Sequence, residues 1–399
     1  MSVVLFMLLG FFLPTQLGKH FFLPFSYISG VRVDYIAPTL FVIDLVVVMI
    51  LWMHRAQWIK HLRTRRWWIV AASCAVNMVF SLIPWLSFYW TIRTFLLIAL
   101  FLVMMRAHEP AMRALVIGLV VQTAIQLMLA LVHLVSRHSI GGIWWALGER
   151  PLSTALPDIA KMTIMGVEYL RPYGTFSHPN SMGGFYALVA VWMLVIGLRK
   201  KLTIALFVMS IMLVALSFSK GALIGLGVGF IVWSTISLKT SARNYVAQVG
   251  GVGVSVLLLA VALSQFVASD IIATPKRIAL LAQAEELFFS NPLFGVGRGT
   301  YVVAQSGHDF GYSHFFAQPV HNIFALILVE LGIIGVGVFI YLLWQSKMRK
   351  NRLLWPIAAV IVATGLIDHY WLTLIQNWYL LGVAAGFIVV AKRRKVKSV

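Results

Sequence analysis

The feature that most constrains this chain is a series of long apolar runs separated by short polar breaks. Of its 399 residues, 61% are hydrophobic and only 11% are charged. A water-soluble domain could not bury so much apolar surface, whereas a helix needs about 20 mainly apolar residues to cross a bilayer. About twelve runs approach that length, and we predict an all-α polytopic membrane protein. The predicted spans are 3–18, 36–53, 67–86, 89–105, 111–135, 181–198, 202–217, 221–238, 244–265, 322–344, 353–368 and 374–391.

The basic residues lie in the breaks, and their positions predict the topology. The net charge of +20 would indicate a nucleic-acid partner if the basic residues formed one patch, but most of the 32 lysines and arginines follow even-numbered spans. By the positive-inside rule, both termini are then cytoplasmic, and we expect no nucleic-acid partner. The basic clusters are 55–66, 106–113, 199–201, 239–243, 347–352 and 392–397.

Two of the connections predicted to lie outside are long, namely 136–180 and 266–321. Long connections in a compact protein are usually functional. We treat residues 1–399 as a single membrane domain, with two external loops that contain short surface helices and fold over its outer face. In the second loop, a helix is predicted from Thr274 to about Phe289, with a threonine cap and a proline in its first turn. The run "GVGRG" that follows at 295–299 is expected to be a flexible turn.

Polar residues gather at the predicted outer ends of three spans. His178 and Asn180 open the sixth span, Lys220 the eighth, and His321 and Asn322 the tenth. A helix N-terminus presents unpaired N–H groups and the positive end of the helix dipole, so it attracts anions. If the spans bundle, these ends converge on one surface.

Three arginines lie close to these helix ends along the chain. Arg171 precedes the sixth span, Arg277 opens the loop helix and Arg298 follows it in "GVGRG". Because arginine grips phosphate with two parallel hydrogen bonds, we expect an anion site at the lipid boundary. Such a site suits a phosphate whose lipid tail remains in the bilayer.

Each of these residues also has a structural interpretation. Interfacial arginines anchor proteins at headgroups, histidines cap helices, and Lys220 is placed to extend its ammonium to the interface. The glycines around 221–229 favour tight helix packing, and intramembrane Asp44, Arg93 and Glu330 must pair or line a wet cavity. A metal site at His308, His314 and His321 matches no standard ligand spacing, so we expect neither metal nor cofactor.

Four segments in order resemble the signature of the O-antigen ligase and polymerase superfamily. They are "RPYGTFSHPN", "SFSKGALIGL", "KRIALLAQAEELFFSNPLFGVGRGTY" and "HNIFALILVELGIIGVGVFIY", which together span about residues 170–345. The resemblance implies a GT-C-like, metal-independent glycosyltransferase of the bacterial cytoplasmic (inner) membrane. It would transfer a glycan from polyprenyl pyrophosphate to an acceptor hydroxyl at the outer face. The acceptor is the lipid A core in the ligases and another lipid-linked glycan in the polymerases.

Carried onto this chain, the resemblance implies catalytic roles for Arg171, Arg277 and His321. We assign pyrophosphate or glycan binding to His178, Asn180, Lys220, Arg298 and Asn322. Lys220 departs from the family pattern, which usually has arginine there, so a bidentate grip is lost while the charge is kept. The base or phosphate-ligand role of His321 stays open.

Three alternatives to a ligase remain open from the sequence. Two share its chemistry, a polysaccharide polymerase and a transferase that acts on protein side chains. The third belongs to another class, a transporter of anions or lipid-linked sugars, which the number of spans permits. Against a transporter, the polar residues lie at one face rather than near the bilayer midplane, and the two halves show no inverted repeat.

Overall fold

The computed structural model describes residues 1–62, 64–157, 159–198, 200–237, 273–307 and 317–397, and it is mostly helical there. The helices are α1 Ser2–Phe12, α2 Val42–Met53, α3 Arg55–Leu62, α4 Arg65–Val79, α5 Pro84–Met104, α6 Glu109–Ser136, α7 Pro179–Ile196, α8 Lys201–Leu216, α9 Lys220–Ser237, α10 Ala273–Ser290, α11 Tyr301–Gln305, α12 Ile323–Gln345, α13 Trp355–Gly365, α14 Tyr370–Thr373 and α15 Ile375–Lys397. The strands are β1 Gly18–His20, β2 Tyr27–Ile28, β3 Val31–Arg32, β4 Thr39–Phe41, β5 Lys161–Ile164 and β6 Val167–Leu170, paired antiparallel as β1–β4, β2–β3 and β5–β6.

Each predicted span that falls in the described ranges overlaps a helix. The ninth predicted span, 244–265, lies outside the described residues. Within the described ranges, five helices are long and apolar enough to cross a membrane, namely α5, α6, α7, α9 and α12. Five shorter apolar helices accompany them, and α2 with α3 forms a sixth candidate span bent by 84°. The chain is therefore a multi-pass membrane protein, while the number of about twelve spans and the GT-C architecture stay predictions.

The first two predicted spans are longer than the helices found there. α1 ends at Phe12 because Pro14 has no N–H group with which to continue the helix. α2 begins at Val42 because the residues before it pair as β4 with β1. The segment between α1 and α2 therefore contains short β strands that the hydropathy pattern did not separate from the helices.

α7 lies at the centre of the helix bundle. Its residues from Ser181 to Val195 are buried. α8, α9, α13 and α15 pack around it and share one apolar core. Because α7 is packed on all sides by these helices, the residues at its N-terminus, His178 and Asn180, are held in a fixed position.

Glycines set how closely two helix pairs approach. Gly221, Gly225 and Gly229 lie four residues apart along α9 and face α13, where a Cβ atom on Gly229 would lie 2.6 Å from Val360 Cγ2. In the contact of α1 with α6, a Cβ on Gly118 would overlap the Met7 carbonyl oxygen. The prediction of tight packing by the glycines of 221–229 is confirmed.

The buried intramembrane charges are paired. Both Arg93 Nη atoms donate to the Asp44 carboxylate, at 3.0 and 2.9 Å, and Tyr379 Oη donates to the same group at 2.8 Å. Glu330 accepts a hydrogen bond from Arg298. The expectation that these charges pair is confirmed, as an unpaired charge inside a membrane helix is costly.

α12 is broken at Gly332, which has φ +63° and ψ −177°. The segment that contains "GVGRG" fills the break and satisfies the freed backbone groups, as membrane burial requires. Four hydrogen bonds of 2.9–3.1 Å run from the N–H groups of Val296, Gly297, Ile333 and Ile334 to the carbonyls of Val329, Glu330, Pro292 and Leu293, respectively. The turn expected at 295–299 is present, but the expectation that it is flexible is wrong, because Val296 and Gly297 are bonded to partners 33 residues further along the chain.

The two long connections carry short elements of their own. The first, 136–180, contains a 3₁₀ helix at Gly142–Leu147 and the β5–β6 hairpin. The second, 266–321, contains α10 and α11 in its described part, and the predicted loop helix is confirmed as α10. Leu280 and Ala284 of α10 are buried against the protein. This packing holds Arg277, at the start of α10, next to the helix bundle.

Candidate active site

Asp368 lies at the centre of a polar group formed by α7, α12 and the turn between α13 and α14. Its Oδ2 accepts a hydrogen bond from Asn180 Nδ2 at 3.1 Å, and its Oδ1 accepts one from the His369 backbone N–H at 2.8 Å. His321 Nδ1 lies 3.6 Å from Oδ1, close enough for a charge contact but longer than a hydrogen bond. The carboxylate thus joins two predicted site residues from different helices.

Arg171 extends this group on the side of α7. Its Nη2 donates to Asn180 Oδ1 at 2.8 Å and to the Ser217 carbonyl at 2.9 Å, and its Nε donates to the same carbonyl at 3.3 Å. Among the described residues, Nη1 has no hydrogen-bond partner. A continuous chain of contacts therefore runs from Arg171 through Asn180 and Asp368 to His321.

The loop that carries Arg171 is anchored by a buried hydrogen bond between a histidine and a glutamate. The Arg171 N–H donates to the Ala160 carbonyl at 3.1 Å, which extends the β5–β6 hairpin. Two residues later, the Tyr173 N–H donates to His133 Nδ1 at 3.4 Å, and His133 Nε2 lies 2.8 Å from Glu149 Oε1. Both side chains of that pair are fully buried, so they fix the start of the loop to the end of α6.

Two predicted binding residues act as helix caps. His178 Nδ1 accepts a hydrogen bond from the Asn180 N–H at 3.1 Å and caps α7. Asn322 Oδ1 accepts from the N–H groups of Phe324 and Ala325, at 2.9 and 3.0 Å, and caps α12. These bonds place His321 just outside the N-terminus of α12. The ligand-binding roles of the two caps stay predictions.

The remaining predicted residues differ in their relation to this group. Arg277 is partly buried in the first turns of α10, near enough for its charge to act on Arg171 and His369. Lys220 is exposed and begins α9, three residues after the Ser217 carbonyl that holds Arg171. Arg298 makes its side-chain contacts at another place in the described structure.

The guanidinium of Arg298 lies in an internal site beside the break in α12. It pairs with Glu330, donates through Nη2 to the Leu372 carbonyl at 2.9 Å, and stacks on the Trp90 ring at 4.8 Å. No hydrogen bond links it to Asp368 or His321 within the described residues. Its predicted role in substrate binding stays untested, and its contacts are those of a structural residue.

Burial and neighbouring charges set the protonation of the group. Burial lowers the pKa of Arg171 to about 10, and the charge of Arg277 adds to that effect. Burial also lowers the pKa of both His178 and His369 to about 3. For Asp368, burial opposes ionisation, but the interactions with His321 and the other histidines outweigh it and lower its pKa. At neutral pH, the group therefore holds one carboxylate, two neutral imidazoles and guanidinium groups on two sides.

Sequence reasoning missed Asp368, His369 and Tyr35. Tyr35, from the segment between α1 and α2, meets the His369 ring edge-on with 5.4 Å between centroids. The signal for the first two was an Asp-His pair at the boundary of a predicted span, on the same predicted side as His321. Nothing local in the sequence marks Tyr35.

A metal ion has one candidate ligand set among the described residues. Donor atoms of His321, Asp368 and His369 all lie within 4.8 Å of one another. Two imidazoles and a carboxylate are a set that zinc accepts. The nearby charges of Arg171 and Arg277 oppose a cation, however, and favour an anion. His308 and His314, the other members of the set considered from the sequence, lie outside the described residues.

Comparison with known families supports glycan chemistry for this chain. Residues 204–340 match the family model described as O-antigen ligase. The segment belongs to the O-antigen ligase superfamily. The matched range includes Lys220, Arg277 and His321. Outside it lie Arg171, Asn180 and Asp368, which are connected to His321 by the contacts described above. A comparison with curated proteins gave no match. Glycan transfer of the O-antigen ligase and polymerase type is therefore the class of activity that the family match supports.

Proposed function

We propose that the chain transfers a glycan from polyprenyl pyrophosphate to an acceptor hydroxyl, as an inverting O-antigen ligase that needs neither metal nor cofactor. The observation that supports this proposal is the chain of contacts from Arg171 to His321, because it joins a guanidinium, a group suited to phosphate, and an imidazole in one polar group. The family match of residues 204–340 supports the same chemistry. The site would face outward from the cytoplasmic membrane, with both chain termini inside.

Cationic groups would stabilise the leaving group. When the glycosidic C–O bond breaks, negative charge develops on the pyrophosphate oxygen. Arg171, through Nη1, and Arg277 would neutralise that charge, helped by the positive dipole ends of α7 and α12. A preorganised pair of guanidinium groups then does the work that a divalent cation does in metal-dependent transferases.

His321 would serve as the general base. Its Nε2 takes the proton of the acceptor hydroxyl while the oxygen attacks the anomeric carbon from the face opposite the pyrophosphate, which inverts that carbon. Asp368, 3.6 Å from Nδ1, orients the ring and stabilises the imidazolium that forms. The competing assignment, in which His321 binds phosphate, predicts weaker donor binding rather than slower proton transfer when it is replaced.

The test uses purified protein in detergent with a lipid-linked donor and an acceptor. Arg171→Ala and Arg277→Ala should each lower turnover by about 10² or more, the scale of a lost oxyanion-stabilising donor. Arg32→Ala is the matched control, since Arg32 is 62% exposed and lies 3.9 Å from Asp34 rather than in the site. Wild-type rates in both site variants would reject the mechanism.

The product separates the alternatives within the same experiment. A single shift of the acceptor identifies a ligase, and a ladder of increasing length identifies a polymerase. Labelling of an acceptor protein identifies transfer to side chains. Because no second compartment is present in detergent, any product at all excludes a pure transporter.

A further inference from the structure

The segment 171–178, which joins β6 to α7, is held against α6 by hydrogen bonds at two buried points. At the first, the Tyr173 N–H donates to His133 Nδ1 at 3.4 Å. At the second, Gln126 Nε2 donates to Thr175 Oγ1 at 2.6 Å, and Gln126 Oε1 accepts from the Thr175 N–H at 2.9 Å. All four side chains are buried. Because residues seven apart lie on one face of a helix, α6 holds the segment with a single face.

At the first point, Glu149 fixes the orientation of the histidine ring. A backbone N–H only donates, so His133 Nδ1 is the acceptor and the ring proton is on Nε2, which lies 2.8 Å from Glu149 Oε1. The carboxylate is itself held by two backbone N–H groups, of Ile140 at 2.8 Å and of Gly141 at 2.7 Å. The imidazole is therefore held in the one tautomer that can bind the segment.

At the second point, the backbone passes close to the amide of Gln126. Gly174 has φ +56°, and a Cβ atom there would lie 2.2 Å from Gln126 Oε1, so a residue with a side chain does not fit. Thr175 Oγ1 also donates to the Pro14 carbonyl at 2.9 Å, which joins the end of α1 to the same contact. The segment is thus fixed by side chains that lie outside it.

These contacts extend to the backbone of Arg171. Tyr173 Oη accepts a hydrogen bond from the Ala160 N–H at 2.7 Å, and the Ala160 carbonyl accepts one from the Arg171 N–H at 3.1 Å. The residue that His133 holds is therefore the one that fixes the backbone partner of Arg171. The guanidinium is held separately, through Asn180 and the Ser217 carbonyl.

We propose that His133 and Gln126 are positioning residues for Arg171, and that they keep its guanidinium where negative charge develops on the leaving group. The inference rests on the proposed function and adds to it two residues of α6, both outside the matched range 204–340. Within the described residues, neither side chain is hydrogen-bonded to the group from Arg171 to His321, so their effect on the reaction passes through the segment. A misplacement of about 1 Å at a catalytic group can slow a reaction by about 10².

The test measures kcat and KM for a lipid-linked donor with purified protein in detergent. His133→Leu and Gln126→Leu should each lower kcat by about tenfold or more, while KM for the donor changes by less than about threefold, because the groups that bind the donor remain. His133→Asn keeps an acceptor close to the position of Nδ1 and should restore most of the rate. Gln122→Leu is the matched control, since Gln122 is buried one turn away on α6 and its amide has no hydrogen-bond partner among the described residues.

A double-mutant cycle with Arg171→Ala separates positioning from a general effect on the fold. In the Arg171→Ala background, His133→Leu should lower kcat by less than about twofold, because the group that it positions is gone. A purely structural role would lower kcat by the same factor in both backgrounds. Thermal melting in detergent identifies the folded variants, and Gln126→Leu takes the place of His133→Leu in the cycle if the latter does not fold.

The outcomes distinguish this inference from the proposed function. Wild-type kcat in the folded variants of His133 and Gln126, or equal losses in the two backgrounds, would overturn the positioning role while a slow Arg171→Ala leaves the proposed function in place. A wild-type rate in Arg171→Ala would overturn the proposed function, and the positioning role with it.

Discussion

Replacing Asp368 with asparagine removes one charge from the centre of the site while the shape of the side chain is kept. At an effective dielectric constant of about 20, a carboxylate and an imidazolium separated by the observed 3.6 Å attract by roughly 4–5 kcal/mol. Solvent and local rearrangement reduce that value. We therefore expect Asp368→Asn to raise the activation free energy by about 2–4 kcal/mol, which lowers kcat roughly 30- to 1,000-fold.

The hydrogen bonds of Asp368 sharpen this prediction. The side-chain oxygen of an asparagine at 368 can accept from Asn180 Nδ2 or from the His369 N–H, but not from both. Its NH₂ group must then face the other of these two donors. The assay is single-turnover transfer from a radiolabelled lipid-linked donor, which separates chemistry from product release. Asp34→Asn, at a half-exposed carboxylate between Arg32 and Arg150, is the matched control and should stay near the wild-type rate. If folded Asp368→Asn transfers as fast as wild type, the assignment of His321 as a base supported by this carboxylate is refuted.

Three further predictions concern metal, pH and packing. Dialysis against EDTA should leave the transfer rate unchanged, whereas added Zn²⁺ should inhibit by occupying His321; a rate that falls with EDTA and returns with a divalent cation would contradict the metal-free mechanism. Because burial lowers the pKa of Arg171 to about 10, donor affinity should fall as the pH rises through that value, measured by binding to detergent-solubilised protein, and affinity that is constant to pH 11 would contradict this role. Gly118→Ala should lower the free energy of unfolding by about 1–3 kcal/mol, since the new Cβ overlaps the Met7 carbonyl oxygen. Gly337→Ala is the control, because its Cβ meets no atom within 4 Å. Thermal melting measures both variants, and equal melting temperatures would contradict the prediction for the α1–α6 contact.

The sequence predicted the helices well because their apolar runs are long, and burial in lipid or in protein demands such runs. It also indicated that His178, Asn180, His321 and Asn322 lie at helix N-termini, since a helix N-terminus needs a capping residue and leaves a local pattern. Arg171 and Arg277 were found through the family resemblance and their charge. The described structure brings Arg171, Asn180 and His321 into one connected group.

What the sequence did not predict depends on partners far apart along the chain. Asp368 is 188 residues from Asn180, so no local spacing connects them. The role of "GVGRG" is defined by the carbonyls freed at Gly332, and a single glycine in a long apolar run does not reveal such a break. Arg298 has the charge of a binding residue, and only its pairing with Glu330 shows that its guanidinium is used inside the protein.

The break in α12 at Gly332 gives the segment that follows His321 partners of its own. That segment is bound to residues 292–297 and contacts α10, and Asn322 at its start donates through Nδ2 to the Leu366 carbonyl at 3.2 Å, two residues before Asp368. The 3.6 Å between His321 and Asp368 is therefore set by contacts on both sides of the pair, and the interruption in the helix contributes to positioning the candidate base.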